Sequence, residues 1–182
     1  MKEMNALKTY DIKFTGLKNG KHLYRYQLNR DFFNLFDYDE FKAANIDILI
    51  ELTKRDNLLE FSIQSQGVVN VPCDLSGEYF DQEMQGKLDF IINFGESFND
   101  DREDLIILPY HAHTYNVAQQ IYENVVLHVP TKRIHPDVAS GKMHNDGWQY
   151  IINHDMDIQE EEQKEIDPRW AALKKILTDK NQ

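Results

Sequence analysis

Hydrophobic and polar residues alternate along most of the segment between residues 46 and 94. Ile46, Ile48 and Ile50 lie on one face of an extended chain, and the residues between them lie on the other. The same period of two recurs at Phe61 and Ile63, at Val69 and Val71, and at Phe90 and Ile92. Such alternation of β-branched and aromatic residues is typical of strands with one buried face.

Turn-forming residues divide this segment into four or five strands. They are Arg55-Asp56-Asn57, Gly67, Ser76-Gly77 and Gly86. Strands joined by short turns pair with their neighbours, bury one face and leave the other in water. We therefore expect an α+β fold built on an antiparallel β-meander, and curling of this sheet toward a barrel stays open as an alternative.

A basic hairpin is predicted before the meander. Residues 10–16 and 23–28 have the character of strands, and they flank Lys18-Asn19-Gly20. Asn-Gly between two such segments is a strong hairpin signal. Because this pair is rich in lysine and arginine, it is a candidate surface for a charged partner.

Aromatic residues cluster directly after the hairpin. Asp31 can cap a short helix in which Phe32, Phe33 and Phe36 lie together, and Phe41 extends the cluster. Such rings can stack on bases, but they more often fill the core at the end of a sheet. We interpret the cluster as core.

One packed helix and one C-terminal helix complete the predicted fold. Residues 99–104 are expected to form a charged loop, and residues 115–129 form a helix whose apolar stripe packs on the sheet. Asp167-Pro168 begins an amphipathic helix after an acidic run. We expect residues 1–130 to form a single β-rich domain with a docked helix, and residues 131–182 to form an irregular acidic tail that ends in the last helix.

The composition indicates a soluble globular protein. Hydrophobic residues make up 41% of the chain, which excludes wholesale disorder. No apolar run approaches the ~20 residues of a membrane helix, and the N-terminus lacks the apolar core of a signal peptide. The single cysteine, Cys73, agrees with a reducing compartment. We expect a cytoplasmic location and no membrane partner.

The net charge of −11 is unevenly distributed. Residues 1–30 carry seven basic and two acidic residues, a net charge of +5, so the rest carries −16. A polyanion repels nucleic acid unless its positive charge is concentrated, although lysine on exposed strands can also be incidental. The candidate partner-binding residues are Lys13, Lys18, Lys21, Arg25, Lys132, Arg133, Arg169 and Trp170.

The sequence contains few candidates for catalysis. His111 and His113 are spaced to share one face of a strand, as in some metal sites, but no further histidine lies at a matching spacing. The sequence has no glycine-rich phosphate loop and no nucleophile elbow. Cys73 follows a predicted strand, where a lone cysteine is more often buried than nucleophilic. We therefore expect no enzymatic activity, no metal and no cofactor.

Three segments occur in a characteristic order. The first is VNVPCDLS at residues 69–76, followed by Tyr79-Phe80; the second is IYENVVLHVP at residues 121–130, followed by Ile134-His135-Pro136; the third is DPRWAAL at residues 167–173. Together, over roughly residue 47 to the C-terminus, they resemble the YceD family of bacterial large ribosomal RNA subunit accumulation proteins.

The resemblance implies a Cys-x-x-Cys turn, a glutamate-containing helix before Leu-x-x-Pro, and a closing Asp-Pro-Arg helix. The motif residues here are Cys73, Glu123, Pro130, Asp167, Pro168 and Arg169. Ser76 takes the place of the second cysteine, and residues 132–148 contain no cysteine. One thiol cannot form a cysteine zinc site, so we expect packing and hydrogen bonds to hold this turn.

The resemblance also implies a non-enzymatic role in large-subunit ribosomal RNA accumulation and ribosome assembly. The expected partner is a ribosomal protein or large-subunit precursor RNA, and DNA is not expected. Two other classes of function stay open. One is a metal-dependent hydrolase that uses His111 and His113, and the other is a generic protein-binding module that recruits partners through a sheet edge or the last helix.

Overall fold

A computed structural model describes residues 6–102, 104–140 and 142 of the chain. The strands are β1 (Asp11–Lys13), β2 (Gly20–Asn29), β3 (Ala43–Lys54), β4 (Leu58–Pro72), β5 (Tyr79–Gly95), β6 (Asn99–Arg102), β7 (Leu105–Pro109) and β8 (Thr114–Asn116). The helices are a 3₁₀ helix (Lys8–Tyr10), α1 (Arg30–Asn34), α2 (Ala118–His128) and α3 (Pro136–Ala139). The fold is therefore α+β, as the sequence predicts.

Six strands form one open, mixed sheet in the order β2-β3-β4-β5-β7-β6, and β1 pairs with β8 separately. From β2 to β5 the neighbours pair antiparallel, which confirms the predicted meander for these strands. β7 then pairs with β5 in parallel. Because β2 and β6 are both edges, the sheet does not close, and the barrel alternative is wrong. The loop predicted at residues 99–104 is also wrong in part, since it contains β6.

The predicted alternation is present on the three long strands. One face of the sheet is buried, and its residues include Ile46, Ile48 and Ile50 on β3, Phe61 and Ile63 on β4, and Phe90 and Ile92 on β5. The stacked rings of Phe61 and Phe90 lie 4.9 Å apart on paired strands. Each such side chain contributes about 1.5–3 kcal/mol by leaving water, so this face fixes the register of the strands.

Gly67 and Gly86 lie inside β4 and β5, so the two breaks predicted at these positions are wrong. At Gly67 a Cβ would lie 2.7 Å from the Cα of Ile46 on the neighbouring strand. At Gly86 it would lie 2.6 Å from Ser65 Oγ and 2.7 Å from Asn124 Oδ1. Close approach of neighbouring atoms, rather than a turn, therefore requires glycine at both positions.

The predicted basic hairpin does not form. β1 pairs with β8, whereas β2 pairs along its whole length with β3. Lys54 Nζ donates to the carbonyl oxygens of Phe14 (3.0 Å) and Leu17 (2.8 Å), which holds the segment after β1 beside the end of β3. The Asn-Gly signal fails because β3 offers β2 a ladder of ten pairs, while β1 has only three residues.

Aromatic residues around α1 fill the core. Phe32, Phe33 and Phe41 are buried, and the rings of Phe33 and Phe41 meet edge to face at 4.9 Å. Asn29 caps the helix, since its side chain accepts a hydrogen bond from the backbone N–H of Asp31 (3.0 Å). The core interpretation is confirmed, and the prediction of Asp31 as the cap is wrong by two residues.

Helix α2 packs on β4 and β5 through the predicted apolar stripe. Ile121 and Val125 are buried in this contact, and Val117, directly before the helix, is buried as well. The helix begins at Ala118, later than the sequence predicts, because β8 occupies the preceding residues. Among the described residues, no helix is both long enough and apolar enough to span a membrane.

A buried polar contact fixes the position of α2 on the sheet. Asn124 Nδ2 donates to Ser65 Oγ (3.3 Å) and lies 3.5 Å from the carbonyl oxygen of Ile63. Asn124 and Ser65 are almost fully buried. Because a buried polar group without a partner is costly, this contact favours one register of the helix over its neighbours.

Residue contacts divide the chain into two units, Met1–His135 and Pro136–Gln182. The first unit contains all the strands and helices α1 and α2. In the second unit α3 is described, and the N–H of Ser140 donates to the carbonyl oxygen of Pro136 (2.9 Å). The predicted division after residue 130 stays a prediction, and the acidic run and final helix lie outside the described residues.

We expect Gly67→Ala to destabilise the protein by about 1–3 kcal/mol, because the new methyl group meets the backbone of β3 rather than a movable side chain. Urea unfolding followed by circular dichroism measures the change. Gln66→Ala, at the exposed neighbouring position, is the control and should stay within about 0.5 kcal/mol of the wild type. Equal midpoints for the two variants would contradict the close approach at Gly67.

Candidate functional site

The face of β2–β5 opposite the core, here called the open face, carries polar and charged side chains. These residues are exposed or half-buried along all four strands. The polar and charged residues include Lys21, Arg25 and Gln27 on β2, Asn45, Asp47 and Glu51 on β3, Glu60, Gln64 and Gln66 on β4, and Glu83, Gln85, Lys87 and Asp89 on β5, and the leucines Leu23 and Leu49 lie among them. Since these side chains are accessible among the described residues, the open face is a surface on which a partner can lie.

A shallow groove of about 660 Å³, here called the central groove, crosses these four strands. The open-face residues that line it are Arg25, Asp47, Leu49, Gln64, Gln66, Gln85 and Lys87. Strand register places Arg25, Leu49, Gln64 and Lys87 in one row across the sheet. The row therefore has a basic residue at each end and a glutamine between them.

The polar groups of the central groove are available to a ligand. Within the described residues, the amides of Gln64, Gln66 and Gln85 form no hydrogen bond to another residue, and Arg25 forms no ion pair. Lys87 Nζ contacts Asp89 Oδ2 at 2.6 Å. Such exposed pairs contribute little to stability, so Lys87 can exchange its partner for a ligand at small cost.

A second groove of about 360 Å³, here called the acidic groove, lies toward β7. Four carboxylates line it: Glu51, Glu60, Asp89 and Asp104. Each has a basic partner, the pairs being Lys21–Glu51, Arg55–Glu60, Lys87–Asp89 and Arg102–Asp104. Three of these carboxylates lie on β3, β4 and β5, so the acidic groove directly adjoins the central groove along the same strands.

Hydrogen bonds keep Asp89 ionised at the boundary between the two grooves. The ammonium group of Lys87, and then the hydroxyl of Ser62, hydrogen-bond to its carboxylate and lower its pKa below the ordinary value. The pair with Lys87 is therefore charged on both sides at neutral pH.

The four basic candidates from the first 30 residues are not brought together. Lys21 and Arg25 lie on β2, Lys13 lies on β1 in the other sheet, and Lys18 precedes β2. Arg25 is the one among them that lines the central groove. Sequence separation alone could not distinguish it from the other three.

The later basic candidates have different surroundings. Arg133 forms an ion pair with Glu40 (2.9 Å), and only 19% of its side chain is exposed, so it stabilises the fold. Lys132 is exposed. Arg169 and Trp170 lie outside the described residues.

The turn between β4 and β5 is closed by backbone hydrogen bonds around Cys73. The N–H of Cys73 donates to the carbonyl oxygen of Glu78 (2.8 Å), and the N–H of Gly77 donates to that of Cys73 (2.9 Å). Gly77 has φ = +72°, a conformation that favours glycine. Asp74 and Arg133 exchange two further hydrogen bonds of 2.8 and 2.7 Å, which attach residues 131–135 to the turn.

The sulfur of Cys73 is an acceptor inside this turn. Cys73 is 3% exposed, and the N–H of His135 donates to its Sγ at 3.2 Å. Burial raises the pKa of the thiol. Hydrogen bonds from the Ser76 hydroxyl and from the backbone N–H groups of His135, Ser76 and Leu75 lower it more, so the pKa lies below the ordinary value. The expectation that Cys73 is buried and hydrogen-bonded is confirmed.

A family model described as large ribosomal RNA subunit accumulation protein YceD matches residues 61–177. The chain belongs to this family. The match begins inside β4 and includes the Cys73 turn and α2, whereas β2 and β3 of this YceD protein lie outside it. No curated protein and no solved structure matches the chain.

Two further YceD motif residues lie on and after α2. Glu123 Oε1 accepts a hydrogen bond from Gln119 Nε2 at 2.7 Å, one turn earlier on the helix surface. Pro130 is exposed and follows the helix C-cap, Val129. The motif residues Asp167, Pro168 and Arg169 lie outside the described residues.

The histidine pair of this YceD protein is not in a strand, so the alternative in which both imidazoles share one face of a strand is wrong. β7 ends at Pro109 and β8 begins at Thr114, which leaves His111 and His113 in the connection. His113 Nδ1 lies 3.2 Å from Thr15 Oγ1. In the part of the chain that the structure describes, no three histidine, cysteine or acidic side chains are grouped to hold a metal ion.

We expect Cys73→Ser to lower the free energy of unfolding by about 1–3 kcal/mol at neutral pH, because the weaker fit leaves buried N–H groups poorly paired. The wild type should gain further over the variant as pH rises toward about 8.5, the pKa of an unfolded thiol. The folded thiol loses its proton first, so the unfolded state binds more protons in this window. Urea titrations at several pH values measure both effects.

Ser76→Ala is the matched control for this pH dependence. Loss of its hydroxyl donor raises the pKa of Cys73 toward the ordinary value, so the gain of stability with pH should be smaller. A difference between wild type and Cys73→Ser that is constant over the same pH range would contradict the lowered pKa.

Proposed function

We propose that this chain is a non-enzymatic factor in the accumulation of large-subunit ribosomal RNA. It acts in ribosome assembly by binding large-subunit precursor RNA or a ribosomal protein. Membership of the YceD family, over residues 61–177, carries this proposal. The family's name refers to the accumulation of that RNA.

The open face supports a binding role. In the described residues it presents side-chain amides on β4 and β5 and a guanidinium on β2 that have no partner in the protein, and these groups can hydrogen-bond a polar ligand. The acidic groove and the basic edge at β2 give the face two signs of charge. The acidic groove is complementary to a basic ribosomal protein, and the basic edge at β2 is complementary to RNA.

The surroundings of the reactive side chains support a non-enzymatic role. Cys73 is buried, and its sulfur accepts hydrogen bonds from the turn that contains it. The carboxylates of the acidic groove are paired with lysine or arginine. The contacts of Cys73 give a structural role to the side chain that would be the first candidate for a nucleophile.

We expect the tagged protein to migrate with large-subunit precursors in a sucrose gradient of cell lysate at low salt. It should dissociate at about 0.5 M salt, where charge interactions are screened within a few Å. Small-subunit precursors in the same gradient are the internal control, and the tagged protein should not migrate with them. Depletion of the protein should reduce large-subunit RNA relative to small-subunit RNA.

The proposed function fails on either of two results. One is a protein that stays at the top of the gradient at both salt concentrations. The other is depletion that leaves the ratio of the two ribosomal RNAs unchanged.

A further inference from the structure

The lining of the central groove has a small excess of basic residues in a chain whose net charge is −11. Its charged lining consists of Arg25, Lys87 and Asp47, so basic groups outnumber acidic ones. The whole chain carries −11, and the charged residues that line the acidic groove are all carboxylates. Charge complementarity therefore directs an anionic ligand to the central groove and a cationic one away from it.

The spacing of the two basic residues suits a chain with several anionic groups. Arg25 on β2 and Lys87 on β5 end the same row, three strand spacings or roughly 14 Å apart. A small anion cannot reach both ends at once. A nucleic acid strand that lies across the four strands places separate phosphates at each end.

The floor between these ends is suited to bases. Gln64, Gln66 and Gln85 each present an amide donor and an amide acceptor, the combination that hydrogen-bonds base edges. Those edges are accessible in single-stranded RNA, whereas the major groove of an RNA duplex is too narrow for side chains to read. The floor therefore selects unpaired bases.

We infer that the central groove binds a single-stranded segment of large-subunit precursor RNA, with phosphates at Arg25 and Lys87 and bases over the three glutamines. This inference rests on the proposed function and names its RNA contact surface. Asp47 opposes phosphate binding and limits affinity, which prevents the groove from retaining every RNA it meets. Three of the open-face residues that line the groove, Arg25, Asp47 and Leu49, lie outside the segment matched to the YceD family.

The test measures fluorescence anisotropy of a fluorescein-labelled, 12-nucleotide single-stranded RNA of mixed sequence with the full chain at about 0.1 M salt. Arg25→Gln and Lys87→Gln should each weaken binding up to about five-fold. Each should also reduce the slope of log affinity against log salt by about 0.7. Asp47→Asn should strengthen binding by a similar factor.

Two matched variants control for net charge and for broken ion pairs. Lys8→Gln makes the same charge change as Arg25→Gln, but Lys8 is exposed and does not line the groove. Arg55→Gln removes an exposed base paired with an acid, as Lys87→Gln does, and Arg55 also lies outside the groove. Both controls should change affinity less than two-fold, and all variants should keep the wild-type circular dichroism spectrum.

Three results would overturn the inference. Equal losses in Lys8→Gln and Arg25→Gln would mean that only net charge matters. A 12-base-pair RNA duplex that binds as tightly as the single strand would exclude recognition of unpaired bases. The third result is a wild type that fails to bind the RNA and yet co-migrates with precursors through a ribosomal protein. This result would refute RNA binding in the central groove and leave the proposed function intact.

Discussion

The close approach of backbone and side chains at Gly67 and Gly86 is the constraint on which the rest of the structure depends. Without a Cβ at these positions, β4 runs for 15 residues and β5 for 17 without a break. Asn124 of α2 then reaches Ser65 beside Gly86, so the same constraint fixes the helix. Any side chain at Gly86 would push this contact apart.

Continuous strands are what assemble the binding face. Side chains alternate between the two faces of a sheet with a period of two. A shift of one strand by one residue would therefore move its polar side chains from the open face to the buried face. Arg25 and Lys87 are separated by 62 positions in the sequence, yet they end one row of the sheet. The central groove therefore exists only because the four strands pair in this register.

The sequence predicts the buried face of this sheet well, because burial imposes a repeating pattern. The core residues of β3, β4 and β5 follow the alternation, and the apolar stripe of α2 follows helical spacing. Pairing between strands that do not follow each other directly in the chain leaves no such pattern, so the β1–β8 pair and the parallel β5–β7 pair, which skips β6, were not predictable. Asn19-Gly20 led to a wrong hairpin prediction because a local turn signal carries no information on whether β2 pairs more extensively with another strand, here β3.

The candidate site was only partly predictable for the same reason. Arg25 was found through its charge, but Lys87 and the three glutamines belong to no motif and look like ordinary exposed strand residues. These residues have in common only that they line one groove, and that can be recognised only once the pairing register of the strands is known. The burial of Cys73 was predicted from the sequence. Its contact with the N–H of His135 was not, because no sequence pattern indicates that residues 131–135 lie beside the Cys73 turn.

The pairing of β1 with β8 also bears on the order in which the chain folds. Asn116 Nδ2 donates to Asp11 Oδ1 at 2.6 Å across 105 positions, while successive strands from β2 to β5 are linked by about 3 to 13 residues. Closing so long a loop costs more entropy and is slow, whereas neighbouring hairpins form early. During synthesis the meander can therefore form before β1 has a partner, and the first strand of the chain is among the last to be placed.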